Sequence, residues 1–182
     1  MAVAAAPIHR LTVEQVFAMQ EAGLLEEARR TELVDGILYD VIPPNAPHSD
    51  TVAALNRHLT RALPDAMEAL IQDAIFVHGG YLSPDLFVAP LEDRGERRTR
   101  ALLAIEVTHT THRRDRQKAT EYAAASVPEY WMVDLVALEV VVHRKPAAGA
   151  YTEISHHRDG TLPIPGGGAP VDVAALLARS TT

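Results

Sequence analysis

Apolar and polar positions follow two rhythms along this chain, and each rhythm predicts its own elements. Val13, Val16, Phe17 and Gln20 fall at helical spacing and predict a helix over 12–22 with a narrow apolar stripe. Thr12 and Gln15 stand at capping-box spacing before it, and Gly23 is its expected stop. Pro43, Pro44 and Pro47 break the chain ahead of a second helix from about His48 to Leu63, where Val52, Leu55 and Leu59 share a face. A third helix is expected over about 114–125, capped by Thr110 or Thr111 and ended by Val127-Pro128. Asp172 caps a short closing helix that ends near Arg179.

Period-two stretches supply the strands. Glu32-Leu33-Val34 and Ile37 to Ile42 flank Asp35-Gly36, a pair suited to the positive-φ turn that twisted hairpins need. Further strands are expected at Ala74 to His78, ended by Gly79-Gly80, at Ser83 to Ala89 and at Leu102 to Val107. Glu129 to Asp134 and Leu138 to Arg144 predict a second hairpin, to which Tyr151 to His156 adds an edge before the Asp159-Gly160 turn. No internal repeat is present. Strands interleaved with helices, followed by a meander, imply a mixed α/β core.

Composition narrows the class. At 182 residues the chain is expected to form one domain behind an N-terminal tail of about ten residues. No apolar run is long enough to span a bilayer, and MAVAAAPIHR lacks the layout of a signal peptide, so a cytoplasmic protein is expected. Cysteine is absent, which excludes disulfides, zinc-thiolate sites and cysteine nucleophiles. Lys plus Arg number 17 against 24 Asp plus Glu, so the overall balance argues against a general nucleic-acid binder. Residues 94–118 depart from that balance, with eight basic side chains against Glu96, Glu106 and Asp115; this is either a solvated face or a phosphate-contact surface.

Two carboxylates stand out against the strand pattern. Glu106 is the only ionisable residue in Leu102 to Val107, where alternation puts it with Ala104 and Thr108, opposite Leu103, Ile105 and Val107. If that strand pairs antiparallel with the one that Asp85 opens, Asp85 meets Glu106. Facing carboxylates repel unless a cation neutralises them, and hard oxygen ligands select Mg²⁺, Mn²⁺ or Ca²⁺.

The ordered set Pro84-Asp85, Ile105-Glu106-Val107-Thr108, Arg113 to Lys118 leading into Glu121-Tyr122-Ala123, and Val127-Pro128-Glu129-Tyr130-Trp131-Met132-Val133-Asp134 resembles the Uma-type putative restriction endonuclease family of the PD-(D/E)XK nuclease superfamily. Glu32 to Gly36, His48 and the closing 162–177 stretch extend the resemblance over nearly the whole chain. It implies a restriction-endonuclease-like α/β fold, a central mixed β-sheet flanked by helices. It also implies an endonuclease that hydrolyses DNA phosphodiesters with Mg²⁺ or Mn²⁺, with Asp85 and Glu106 as metal ligands and Glu32 adding a third oxygen. The superfamily's usual Lys, two residues after the second carboxylate, is here Thr108, so the resemblance points to Lys118 on the next helix for the catalytic cation.

Other readings stay open. His48 contacts the metal, a water or the phosphate, or is structural; Tyr122 orients Lys118 or packs; Glu32 stabilises a corner. Trp131 is expected as a core anchor rather than a base-stacking platform. His109, His112, His156 and His157 have no fixed zinc-ligand spacing and are taken as incidental. A homodimer follows from family analogy, since cutting a duplex needs two sites. The rival functions are a catalytically silent nucleic-acid-binding or interaction module, which Thr108 favours, and a hydrolase of small phosphoesters.

Overall fold

The computed structural model describes residues 8–25, 30–41, 45–91, 97–109 and 113–178, the side chains of 113–116 excepted. Its centre is a six-stranded mixed sheet ordered β10-β9-β8-β7-β6-β3, built from β3 (Met67–Ile71), β6 (Leu86–Pro90), β7 (Leu103–Thr108), β8 (Glu129–Asp134), β9 (Glu139–Ala147) and β10 (Ala150–His157). Only β7 and β8 pair in parallel, because helix α3 (Arg113–Ala124) carries the chain back between them. The alternation expected along β7 is present. Leu103, Ile105 and Val107 join a core with Val52, Leu55 and Leu59 of α2 (Ala46–Ala62) and with Leu176 and Leu177 of α4 (Val173–Leu177). Ala104 points the other way, into a second core with Tyr122 of α3 and Tyr130. Helices therefore cover both faces of the sheet, and burying Leu55 and Leu59 fully contributes about 1.5–3 kcal/mol each.

A smaller antiparallel sheet, ordered β2-β1-β5-β4, is built from β1 (Thr31–Val34), β2 (Ile37–Asp40), β4 (Ile75–Val77) and β5 (Gly80–Leu82), with β3 of the central sheet falling between β2 and β4 in the chain. The β1–β2 hairpin turns at Asp35 and Gly36, both at positive φ (48° and 72°). Helix α1 (Val13–Glu21) has the expected capping box between Thr12 and Gln15, and its Val16 packs with Leu33 and Tyr81 of this sheet. Trp131 is fully buried, as expected of a core anchor, and its indole donates to Glu129 at 2.6 Å.

Several expectations are corrected. Helix α2 begins at Ala46 rather than His48, because Asn45 caps it by accepting from the His48 amide and Pro47 is tolerated in a first turn, whose amides need no helical acceptor. Gly80 does not end a strand but opens β5, forming a hairpin with β4. β3 was not legible, since Met67-Glu68-Ala69-Leu70-Ile71 lacks alternation. β6 begins at Leu86, one residue after Asp85. The Thr110 or Thr111 cap, Ile42 and Arg179 lie outside the described residues. Among the described residues no helix is long and apolar enough to cross a membrane.

Candidate functional site

The chain passes from the small sheet to the large one through Ser83-Pro84-Asp85, and the titratable groups gather at that passage. β6 and β7 pair antiparallel with Leu86 opposite Ile105, so one further step of the register sets Asp85 against Glu106. The Val107 amide donates to Asp85 Oδ2 at 2.9 Å. His48, in the first turn of α2, places Nε2 at 2.9 Å from the same oxygen. Burial raises the Asp85 pKa, but the hydrogen bond and charge of His48, the Val107 amide and the Lys118 charge outweigh it and hold the carboxyl below its usual range.

Glu106 is treated similarly from the other side. Helix α3 brings Lys118 and Tyr122, four residues apart, onto one face above β7. Lys118 Nζ lies 2.7 Å from Glu106 Oε1, and the Tyr122 hydroxyl donates to that oxygen at 2.7 Å. Each facing carboxylate thus has one oxygen held by two donors. Burial pushes the Glu106 carboxyl up to about 7; Lys118 opposes the rise, and the charges of Asp85 and Glu32 add to it. Burial works against the Lys118 ammonium as well, but Glu106, Glu32 and Asp85 overcome it and hold its pKa above the ordinary lysine value. Burial, with the charges of Glu106 and Glu32, raises the Tyr122 phenol.

Glu32, on β1, is fully buried; its Oε1 accepts from the Ser83 amide at 3.1 Å and stands 3.3 Å from Lys118 Nζ. The structure therefore brings together all four residues singled out from the sequence, Glu32, Asp85, Glu106 and Lys118, with His48 and Tyr122 beside them. The Tyr122 hydroxyl donates to Glu106, to the same oxygen that Lys118 holds. Arg30 was missed. One of its terminal nitrogens donates to the Ser83 carbonyl at 3.2 Å and lies 3.9 Å from Asp85 Oδ1. Its place two residues before Glu32 would have put it on the same strand face. The Ser83 and Val107 amides were illegible for a different reason, since every residue has one and only register aims it.

The donor set fits a hard divalent cation. Asp85 Oδ2 and Glu106 Oε1 carry the hydrogen bonds, so Glu106 Oε2 and Asp85 Oδ1, the latter with only Arg30 at 3.9 Å, face a further partner. Among the described residues His48 Nδ1 and Arg30 Nε are buried without a hydrogen-bond partner. Among the described residues no three His, Asp or Glu side chains converge on one point. Two carboxylates are nevertheless what Mg²⁺ commonly takes from a protein, with water and substrate phosphate completing its shell.

The cationic stretch is less available than its composition suggested. Arg97 pairs with Glu14, and Arg98 with Glu68 and Asp73, while the side chains at 113–116 and residues 92–96 lie outside the described set.

Comparison with known proteins follows the same line. The profile of the Uma2 family, described as "Putative restriction endonuclease", matches residues 13–176. A crystal structure of a putative nuclease of DUF820 from Anabaena variabilis superposes with a TM-score of 0.75 at 14% identity, covering 93% of this chain and 99% of that one. The fold is thus shared with that protein. No curated protein matches the chain in sequence.

Proposed function

Since the chain belongs to the Uma2 family of putative restriction endonucleases, we propose that it is a divalent-metal-dependent endonuclease acting on DNA. The observation that carries this reading is the buried Asp85–Glu106 pair, each carboxylate pinned through one oxygen, with Lys118 Nζ 2.7 Å from Glu106. In this reading Asp85 and Glu106 hold Mg²⁺ or Mn²⁺. Bound there, the metal supplies polarisation of the scissile phosphate and activation of a water.

The chain's own residues do the rest. Lys118 offsets the negative charge that builds on the phosphate in the transition state, supplying from α3 the cation that Thr108 cannot. Glu32 was expected as a third ligand; because its Oε1 is engaged by Ser83 and Lys118, we assign it instead to fixing the ammonium. His48 and Tyr122 hold the carboxylates in the orientation that leaves one oxygen of each available. The position of Lys118 supports the catalytic reading over a silent module.

Titrating Mn²⁺ into wild type and Asp85→Ala by calorimetry, with a plasmid-nicking assay on the same samples, tests the proposal. Loss of both metal binding and nicking in the variant is expected. An Asp85→Ala protein that nicks as fast as wild type removes the assignment, and wild type that binds Mn²⁺ but never nicks returns the silent module.

A further inference from the structure

The charge pairing of this surface singles out one groove away from the carboxylates. The protein carries a net charge of −7, and Arg97, Arg98, Arg144, Lys145 and Arg158 each sit against a neighbouring carboxylate. Among the described residues, Arg57 and Arg61 differ: both are exposed, and neither makes an ion pair or a hydrogen bond. They lie four residues apart on α2, on one side of the helix, where two like charges repel. Both line the same groove of about 390 Å³, between the C-terminal half of α2 and the 169–176 segment.

The groove is a built feature of the fold. His58, between the two arginines, ties its walls together through a 3.0 Å hydrogen bond from Nε2 to the Ala169 carbonyl. The one carboxylate on the far wall, Asp172, is committed to capping α4, accepting from the Ala175 amide at 2.9 Å. Two unpaired guanidinium groups along one wall present paired N–H forks that match phosphate oxygens. An anion bridging them removes their mutual repulsion.

We propose that this groove is a contact site for the phosphate backbone of the nucleic acid, an inference that rests on the nuclease reading. Helix α2 connects the two places. His48 in its first turn touches Asp85, and at 1.5 Å per residue Arg57 and Arg61 lie roughly 14 and 20 Å farther along the axis. Four to six base steps of a duplex, at about 3.4 Å each, cover that span. The groove holds the strand at a distance from the cleaved bond and contributes affinity rather than chemistry.

The test is fluorescence anisotropy of a labelled 30-base-pair duplex with wild type, Arg57→Gln/Arg61→Gln and Arg57→Lys/Arg61→Lys, in a salt series. The glutamine pair is expected to raise Kd about tenfold on any sequence and to make the slope of log K against log salt shallower by about 1–2. Its nicking rate at saturating plasmid stays that of wild type, and the lysine pair recovers most of the affinity. Unchanged Kd and slope in the glutamine pair overturn the groove alone, provided Asp85→Ala still abolishes nicking. Wild type that binds no duplex overturns both the groove and the nuclease reading.

Discussion

Glu106 carries an electrostatic cost in the site: a buried carboxyl raised from 4.5 to about 7. Because its folded pKa lies above the unfolded value, the native state binds the extra proton, and the group's contribution to stability is lost as pH rises from about 4.5 through 7. Glu106→Gln is therefore expected to gain on wild type between pH 5 and pH 8, by up to about 3 kcal/mol. Thermal melts of the two proteins across that range check it, and a constant difference would contradict the raised pKa. Tyr122 is where orientation can be separated from charge. Tyr122→Phe removes only the hydroxyl that holds Glu106 Oε1, a buried bond to a charged group worth about 1.5–3 kcal/mol. Calorimetry should show Mn²⁺ affinity about 10–100-fold weaker in that variant, with the fold retained by circular dichroism.

At the scale of elements, the site depends on how the small sheet is held against the passage into β6. Gly80 makes this possible: a Cβ there would stand 1.7 Å from the Leu33 carbonyl oxygen, in the β1–β5 pairing that also carries Glu32. Gly80→Ala forces backbone apart and should cost about 3 kcal/mol, roughly 6–12 °C in Tm for a chain of this size. Lys118 depends on Glu32 as well as Glu106, so the same variant should lose nicking beyond its loss of stability. A Gly80→Ala protein that melts like wild type would show that the strands can shift without cost. Helix α2 has two functions along its length, His48 against Asp85 at its start and the Arg57–Arg61 groove farther on.

At the scale of the whole molecule, one copy carries one cluster of this kind among its described residues, and a duplex has two strands to cut. A homodimer of two 19.8 kDa chains, about 40 kDa, is the proposed cutting unit. Sedimentation of the DNA-bound protein should give that mass plus the mass of one duplex, and linearisation of plasmid should depend on protein concentration more steeply than nicking does. Linearisation that stays proportional to nicking at every concentration would argue for independent single-strand cuts by a monomer.

Local patterns were sufficient for much of this. The alternation in β7 put Glu106 on the face opposite Leu103, Ile105 and Val107, Asp-Gly placed a hairpin, Thr12 and Gln15 closed a capping box, and Lys118 and Tyr122 shared a helical face, because periods of two and 3.6 depend only on neighbours in sequence. The ordered motifs also pointed to the family and the fold. Tertiary structure alone decided which groups meet: that His48 and the Val107 amide take one oxygen of Asp85, that Ser83 and Lys118 take Glu32, that Arg30 lies near the site, and that Arg97 and Arg98 are paired while Arg57 and Arg61 are not. Hydrogen bonds and charge pairs act within a few ångströms in space, and residues 12 to 83 positions apart come that close only once the sheets are packed.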